Sequence, residues 1–198
     1  MDRAIQEQSM YDAWNRITPI PKDLFKTFVQ SLSLEHYPKG ETLLKAGTTS
    51  QQPYFLLSGI LRFYYTTDEG QEFNKAFYSE QQTVGPLSAT IIGEASRYSI
   101  EVIEACDVFV IPESLFSYYM NKHLAWERLF SYCCQMMLVR NERREAELLL
   151  NTPKARYLQF VRNFPELVTR IPQYHIASYI GITPVALSRS RSDWEKEL

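Results

Sequence analysis

The stretch that decides the fold is residues 171–191, IPQYHIASYIGITPVALSRSR. It predicts two helices joined by a tight turn, because Gly181 suits the left-handed end of one helix and Thr183-Pro184 is a typical start of the next. Apolar residues at helical spacing supply a core shared by the two helices. These residues are Ile176, Ile180, Ile182 and Leu187, with Ala177 small enough for close approach. The stretch therefore predicts a helix-turn-helix.

The second helix of such a motif can present its side chains to base edges in a major groove. The residues predicted to face bases are Val185, Ser188 and Arg189. The residues predicted to contact phosphates are Gln173, Thr183 and Arg191. An ordinary helical hairpin whose arginines are only solvated remains an alternative at this point.

Charge is unevenly distributed along the chain. The 198 residues carry a net charge of -2, whereas residues 151–191 contain six basic residues and one acid, a net charge of +5. A local basic surface suits nucleic acid, although a solvated charged face gives the same signal. The sequence lacks a signal-peptide pattern and a long apolar run, so we expect a cytoplasmic protein without a membrane partner.

Upstream, the periodicity changes twice. Residues 11–35 have helical spacing and predict one N-terminal helix. Short β-rich runs between turn residues then predict a barrel or a sandwich. The runs are 42–44, 54–58, 60–66, 72–78, 99–103 and 108–111. Ser58-Gly59 is expected to bend a strand, and Glu101 and Glu104 are expected to be solvated strand residues.

The segment from Glu113 to Leu150 lacks proline and glycine and predicts one short and one long helix. On the long helix, apolar residues near a/d spacing are predicted to form a dimer interface. They are Leu129, Tyr132, Met136 and Val139. The charged segment 140–145 is expected to extend beyond the barrel, so that the helix needs a partner; a single core helix is the alternative.

Residues that could carry chemistry are scattered. Cys106, Cys133 and Cys134 lack metal-ligand spacing and are expected to be reduced thiols. The histidines His36, His123 and His175 fall in different predicted elements. We therefore predict no catalytic residue, no metal site and no cofactor, and an enzyme is not expected.

Residues 171–184 with Leu187-Ser188-Arg189 resemble the DNA-binding end of Crp/Fnr regulators, and residues 37–41 and 54–59 resemble the opening strands of the cyclic-nucleotide-binding barrel. The resemblance implies an α+β fold. It would comprise an N-terminal antiparallel β-roll (1–120), a long dimerisation helix (121–150) and an all-α helix-turn-helix domain (151–198).

The resemblance also implies a homodimer whose two helix-turn-helix modules read half-sites on double-stranded DNA about one helical turn apart. RNA polymerase and an unknown small-molecule effector are further expected partners.

Two departures from the family pattern bear on ligand and sequence preference. Val84-Gly85-Pro86 replaces Phe-Gly-Glu, and Ser96 falls at the position of the phosphate-pairing arginine, with Arg97 displaced by one residue and so to the opposite strand face. We therefore expect an effector other than cAMP; an anionic ligand stays an alternative if Arg97 turns inward. The candidate pocket residues are Gly85, Leu87, Ser96 and Arg97.

In the second helix, Val185 replaces a glutamate that many relatives carry, which predicts an altered base preference. A short form without a C-terminal wing hairpin is also expected. A rival function is a signalling or interaction module that has lost DNA binding.

Overall fold

Helices begin the chain, strands follow, and helices end it, in a computed structural model that describes residues 2–197 except for the side chains of residues 87 and 88. The N-terminal helices are α1 (Arg3–Asn15) and α2 (Lys22–Val29). The middle elements are β1 (Ser33–Tyr37), β2 (Thr42–Leu44), β3 (Tyr54–Thr66), β4 (Glu72–Tyr78), β5 (Thr83–Val84), α3 (Leu87–Ile92) and β6 (Ser99–Val110). The C-terminal helices are α4 (Glu113–Lys122), α5 (Leu124–Leu150), α6 (Pro153–Asn163), α7 (Pro165–Arg170), α8 (Gln173–Ile180) and α9 (Pro184–Trp194), followed by a 3-10 turn (Glu195–Glu197).

The prediction of one N-terminal helix over residues 11–35 is wrong. Two helices, α1 and α2, precede strand β1, which the sequence reading missed. Pro19 and Pro21 lie between the helices. Each proline lacks a backbone N–H and disfavours helical dihedrals in the residue before it, so a continuous helix cannot form there.

The strands form an antiparallel six-stranded sheet within residues 2–197. β6 pairs with β1, β2 and β3, and β3 also pairs with β4 and β5. The runs predicted at 54–58 and 60–66 are parts of the single strand β3, and those at 99–103 and 108–111 largely make up β6. The irregular positions do not end the strands. At these positions the register between β3 and β6 shifts and both strands continue.

Gly59 is the point where β3 bends. Its φ is +87°, and the register between β3 and β6 shifts between Ser58 and Ile60. A Cβ at residue 59 would lie 2.7 Å from Cβ of Cys106 and would also meet the carbonyl oxygen of Ala105. Glycine is therefore required both by the dihedral angle and by the close approach of the two strands.

The sheet lies between separate apolar cores. Trp14, Phe28, Phe55 and Trp126 belong to a core that joins α1 and α2 to the sheet and to the start of α5. The barrel interior contains a second cluster built from strand residues. A further cluster joins the sheet to the C-terminal helices, and its members include Ile60, Phe77, Phe160, Ile176 and Leu187. The C-terminal helices thus share a core with the barrel of their own chain.

The long helix and the helices after it agree with the predicted pattern in most respects. His123 has extended dihedral angles and separates α4 from α5. Thr152 caps α6, its hydroxyl accepting a hydrogen bond from the Ala155 N–H at 3.2 Å. Pro165 is the first residue of α7. Proline is well suited to a first helical position because its missing N–H is not needed there.

Candidate nucleic-acid interface

Helices α8 and α9 form the predicted helix-turn-helix. α8 ends at Gly181, whose φ is +73°, and the Ile182 N–H donates back to the Ala177 carbonyl at 3.0 Å. The hydroxyl of Thr183 accepts a hydrogen bond from the Ala186 N–H at 3.2 Å, and Pro184 is the first residue of α9. Cap, glycine and proline fix the angle between the helices through bonds that span only a few residues.

The predicted core of the motif is buried. Ala177 is fully buried, and Ile176, Ile180 and Leu187 are at most 2% exposed. Ile182 is partly buried and packs against the same cluster. Deep burial of these side chains holds α9 in a single orientation relative to α8.

The residues predicted to face bases lie on the outer side of α9. Val185 is 58% exposed, and Ser188 and Arg189 are also exposed. All three lie within the first two turns, where a reading helix approaches base edges. Helix α9 packs mainly against α8, α6 and the 3-10 turn that follows it.

The residues predicted to contact phosphates differ in exposure and in the hydrogen bonds that their side chains already make. Gln173 is exposed at the start of α8, and Thr183 is exposed although its oxygen serves as the cap of α9. Arg191 is half-buried: its Nε lies 2.6 Å from the carboxylate of Glu195 and donates to the Tyr157 hydroxyl at 3.1 Å. Arg191 is therefore engaged within the domain in this conformation.

Helix α8 docks on strand β4 of the barrel. The Asn74 N–H donates to the Ser178 hydroxyl at 2.9 Å, and the Asn74 side-chain amide donates to the His175 carbonyl at 2.9 Å. The amide nitrogen also lies 3.1 Å from Nδ1 of His175, while Nη1 of Arg62 donates to the amide oxygen at 3.2 Å. With both amide groups committed, Nδ1 of His175 must act as an acceptor.

This setting makes His175 a neutral histidine. Burial, followed by the charges of Arg62 and Lys39, lowers its pKa to about 4. A proton on Nδ1 would face the donating amide of Asn74. The docked arrangement of α8 therefore requires the imidazole without its charge.

A second ionic contact joins α7 to the barrel. The guanidinium of Arg170 lies 2.6 Å from Glu80 and 2.7 Å from Glu104. The expectation that Glu101 and Glu104 are solvated strand residues is wrong, because Glu101 pairs with Arg62 in the same sheet. Their partners lie far away in sequence, which no local pattern reveals.

Helix α5 presents two different sides. Tyr132, Met136 and Val139 are 41%, 49% and 37% exposed, and they border open cavities between α5, the barrel and the helix-turn-helix domain. Leu129 is 3% exposed and lies in the N-terminal core with Trp126, so this predicted interface residue is committed to its own chain.

The expectation that segment 140–145 lies beyond the barrel is also wrong. Arg140 bonds to the Tyr78 hydroxyl, and Nη2 of Arg144 donates to the Asn74 carbonyl at 3.1 Å. Strand β4 extends along this part of α5, a placement that the helix sequence could not indicate.

The candidate pocket residues are already bonded within the barrel. The hydroxyl of Ser96 donates to the Tyr98 carbonyl at 2.8 Å, and the Tyr98 hydroxyl donates to the Gly85 carbonyl at 3.0 Å. Arg97 is exposed, and the side chain of Leu87 lies outside the described residues. The ring of Tyr98 stacks on Phe63 with centroids 5.1 Å apart.

A cyclic nucleotide, the ligand that a barrel of this kind implies, does not fit these residues. Its phosphate would need a cation where buried Ser96 stands, and its ribose would need an acceptor where Pro86 stands. Sequence reasoning missed Tyr98, whose ring and hydroxyl close this corner of the barrel. The only available signal was the position of a large aromatic residue directly after Arg97.

Metal binding and thiol chemistry find little support in the described part of the chain. In residues 2–197, no group of three His, Cys, Asp or Glu side chains is placed to hold a metal ion. Burial raises the pKa of the Cys106 thiol to about 12 and that of Cys133 to about 11, which keeps both protonated and unreactive. Among helices of the same residues, none is long and apolar enough to cross a membrane.

Comparison with known proteins agrees with the architecture. Residues 34–123 match the family model of the cyclic nucleotide-binding domain. No curated protein matches the chain in sequence. FixK2 from Bradyrhizobium japonicum superposes with a TM-score of 0.75 at 17% identity, covering 84% of this chain and 85% of that one.

Other regulators superpose over similar lengths. CLP from Xanthomonas campestris, described as a c-di-GMP-responsive global regulator, has a TM-score of 0.70 at 14% identity, covering 87% of this chain and 90% of that one. The catabolite activator protein from Thermus thermophilus has a TM-score of 0.58 at 16% identity, covering 93% and 87%. At identities this low, the superpositions establish the fold alone. Residues 34–123 thus resemble the cyclic nucleotide-binding domain, and the chain as a whole has the fold of these solved structures, which is the Crp/Fnr fold of barrel, long helix and helix-turn-helix.

Proposed function

We propose that this protein is a dimeric transcription regulator that reads double-stranded DNA through α9. The observation that carries the proposal is the exposed surface of Val185, Ser188 and Arg189 on the second helix of a helix-turn-helix. Solved structures of the same fold are regulators, which supports the assignment.

Base reading is assigned to the start of α9. Arg189 can donate two parallel hydrogen bonds to O6 and N7 of guanine, and Val185 offers apolar contact such as to a thymine methyl. Gln173, Thr183 and Arg191 are assigned to phosphates; Arg191 must first exchange its bond to Glu195 for one to DNA.

Dimerisation is assigned to the exposed apolar residues of α5. Tyr132, Met136 and Val139 repeat at intervals of four and three residues and leave apolar surface exposed on one helix face. A parallel pairing of two such helices would present two α9 helices to successive major grooves about 34 Å apart. The units we propose are the barrel (1–120), the dimerisation helix (121–150) and the helix-turn-helix domain (151–198).

Regulation is assigned to a small-molecule effector other than cAMP, in keeping with the poor fit of a cyclic nucleotide. A shift of the barrel can reach the DNA-reading helices along α5. It can also reach them directly, since Arg170 and His175 bond to barrel residues. We place the protein in the cytoplasm, with RNA polymerase as a further partner.

The decisive experiment is an unbiased selection of genomic fragments bound by the full chain, followed by gel shifts of the recovered fragments over a range of salt. We expect log affinity to fall linearly with log salt. Arg189→Ala should lose about 1–3 kcal/mol of binding free energy per half-site. The matched control is Arg16→Ala, which removes the same charge from an exposed residue at the end of α1.

Three results would contradict the proposal: recovery of no specific fragments, binding that is independent of salt, or equal binding by Arg189→Ala and the control. Each would favour an interaction module that has lost DNA binding.

A further inference from the structure

A cavity of about 300 Å³ lies between α5 and the helix-turn-helix domain. From α5 the lining residues are Met136, Val139, Arg140, Arg143, Arg144 and Glu147, and from the helix-turn-helix domain they are Phe160, Asn163, Phe164 and Tyr179. Met136 and Val139, which we assign to the dimer interface, thus border the cavity as well. The volume is at the lower end of the range for ligand sites. The cavity lies outside the barrel interior, where the family ligand would bind.

Aromatic rings hold two of these arginines in place. The guanidinium carbon of Arg140 lies 4.5 Å from the ring centre of Tyr78, and that of Arg144 lies 3.9 Å from the ring centre of Tyr179. Arg140 also bonds to the Tyr78 hydroxyl, and Arg144 to the Asn74 carbonyl. A guanidinium has five N–H donors, so each arginine keeps donors for another acceptor.

A lysine lies beside them. Nζ of Lys75 on β4 is 3.3 Å from the amide oxygen of Asn141 and 5.9 Å from the ring centres of both Tyr65 and Tyr98. Burial and the charges of Arg140 and Arg144 lower its pKa to about 8. Three half-buried cations thus crowd the interval between β4, α5 and α8.

In the described residues these cations make no direct salt bridge, although the charge of Glu147 acts on Arg144 at longer range. Within residues 2–197, no carboxylate oxygen lies within 4.0 Å of a side-chain nitrogen of Lys75, Arg140 or Arg144, although Glu147 shares the cavity wall. Elsewhere the half-buried or buried arginines Arg62, Arg170 and Arg191 each have a carboxylate at 2.6 Å. Withdrawing charge from water without a partner is unfavourable, so an anion bound here would be stabilised.

We propose that this cavity binds a small phosphate-bearing anion, with Arg140 and Arg144 donating to its oxygens and with Arg143 and Asn163 at its rim. Planar guanidinium groups pair with phosphate in a bidentate manner, and that geometry favours a phosphoryl group over a single point charge. The site deepens the proposed function because it names an effector class, and it rests on that function only for its regulatory meaning.

The position of the site gives the ligand a mechanical role. Its walls belong to α5 on one side and to α6 and α8 on the other, so a bound anion would tie the DNA-reading domain to the long helix. The arginines belong to α5, and the described residues that line the cavity do not include any from α9, the helix that we assign to DNA. We therefore assign them to a small anion and not to DNA.

The test is calorimetric titration of the full chain, without DNA and at low salt, with inorganic phosphate and with pyrophosphate as probes. We expect saturable binding that weakens at least about tenfold in Arg144→Gln and in Arg140→Gln, as loss of a charge-assisted bond requires. Arg128→Gln is the matched control, since residue 128 is an exposed arginine on the same helix. Far-UV circular dichroism verifies that each variant is folded.

A second readout separates binding from a structural effect. An anion raises the proton affinity of Lys75, so binding near pH 8 should lead to proton uptake by that residue, in addition to any proton that the phosphate itself releases. The apparent enthalpy should therefore depend on the ionisation enthalpy of the buffer differently in the wild type and in Lys75→Met, and the difference reports Lys75.

Absence of saturable binding by both probes, or equal weakening in Arg128→Gln, would overturn the proposal. So would variants at 140 and 144 that lose DNA affinity while anion binding in the wild type is absent. Because the titration contains no DNA, failure of DNA recognition by α9 leaves its outcome unaffected.

Discussion

The two helices of the helix-turn-helix differ in what surrounds them. α8 buries His175, Ile176, Ala177, Tyr179 and Ile180 and is bonded to β4, whereas α9 buries Leu187 and leaves its outer side exposed. The first helix is therefore part of the barrel assembly and the second is free to meet another molecule. In this domain, α8 therefore contributes mainly to stability, whereas the adjacent helix α9 is available for recognition.

The largest effect on this contrast should come from Phe77→Ala. Phe77 on β4 is 6% exposed and contacts the rings of Phe160 and Tyr179 across the docking surface. Removing a buried phenyl group should lower the free energy of unfolding by about 3–5 kcal/mol. Denaturant titration measures the loss.

Val185→Ala is the corresponding change on α9 and should alter the free energy of unfolding by less than about 0.5 kcal/mol, because the side chain is 58% exposed. Similar losses in the two variants would show that α9 is as tightly integrated as α8.

An intermediate effect is expected from pH. The pKa of His175, lowered by burial to about 4 from an ordinary value of 6.5, means that the unfolded chain binds the proton more readily. The stabilisation by the neutral ring is complete above pH 6.5 and is lost as the pH falls toward 4. Between pH 7 and pH 5 the loss should be about 2 kcal/mol, which denaturant titrations at the two pH values can measure.

His175→Gln cannot take up this proton and should remove that part of the pH dependence. The control is His123→Gln, which changes a histidine between α4 and α5 and should preserve it. An unchanged pH dependence in His175→Gln would assign the acid sensitivity to other groups and weaken the contrast between the helices.

A smaller loss than that of His175 protonation should come from Arg170→Gln. The variant leaves Glu80 and Glu104 without the guanidinium that lies 2.6 and 2.7 Å from them. Since the three side chains are 27–41% exposed, solvent screens the contact, and we expect a loss of about 1 kcal/mol. The unfolding midpoint in denaturant reports it, and greater salt should shrink the difference from the wild type.

A loss of several kcal/mol would mean that the ionic contact, rather than the apolar core around Phe77, carries the docking of the domain.

Features set by neighbouring residues were predictable from the sequence. The turn of the helix-turn-helix follows from Gly181 and Thr183, and the helical segment that contains α4 and α5 follows from the lack of proline and glycine between Pro112 and Pro153. The exposed side of α9 follows from helical periodicity.

Features set by distant contacts were not predictable. Asn74 and His175 meet only once the sheet and the last helices are assembled, and the same is true of Arg144 and Tyr179. The charged segment of α5 appeared free because its partners on β4 could not be identified from a helix pattern. The closed corner of the barrel likewise depends on the ring of Tyr98 reaching the Gly85 carbonyl.

The bend of β3 at Gly59 connects the sheet to the core that it shares with the C-terminal helices. Any side chain at residue 59 would clash with β6 and push the two strands apart, because Cys106 and the backbone of Ala105 already occupy the space. Ile60, the next residue, packs into the core shared with the DNA-reading helices. The absence of a side chain at residue 59 thus allows the strand geometry that supports the core beneath the helix-turn-helix domain.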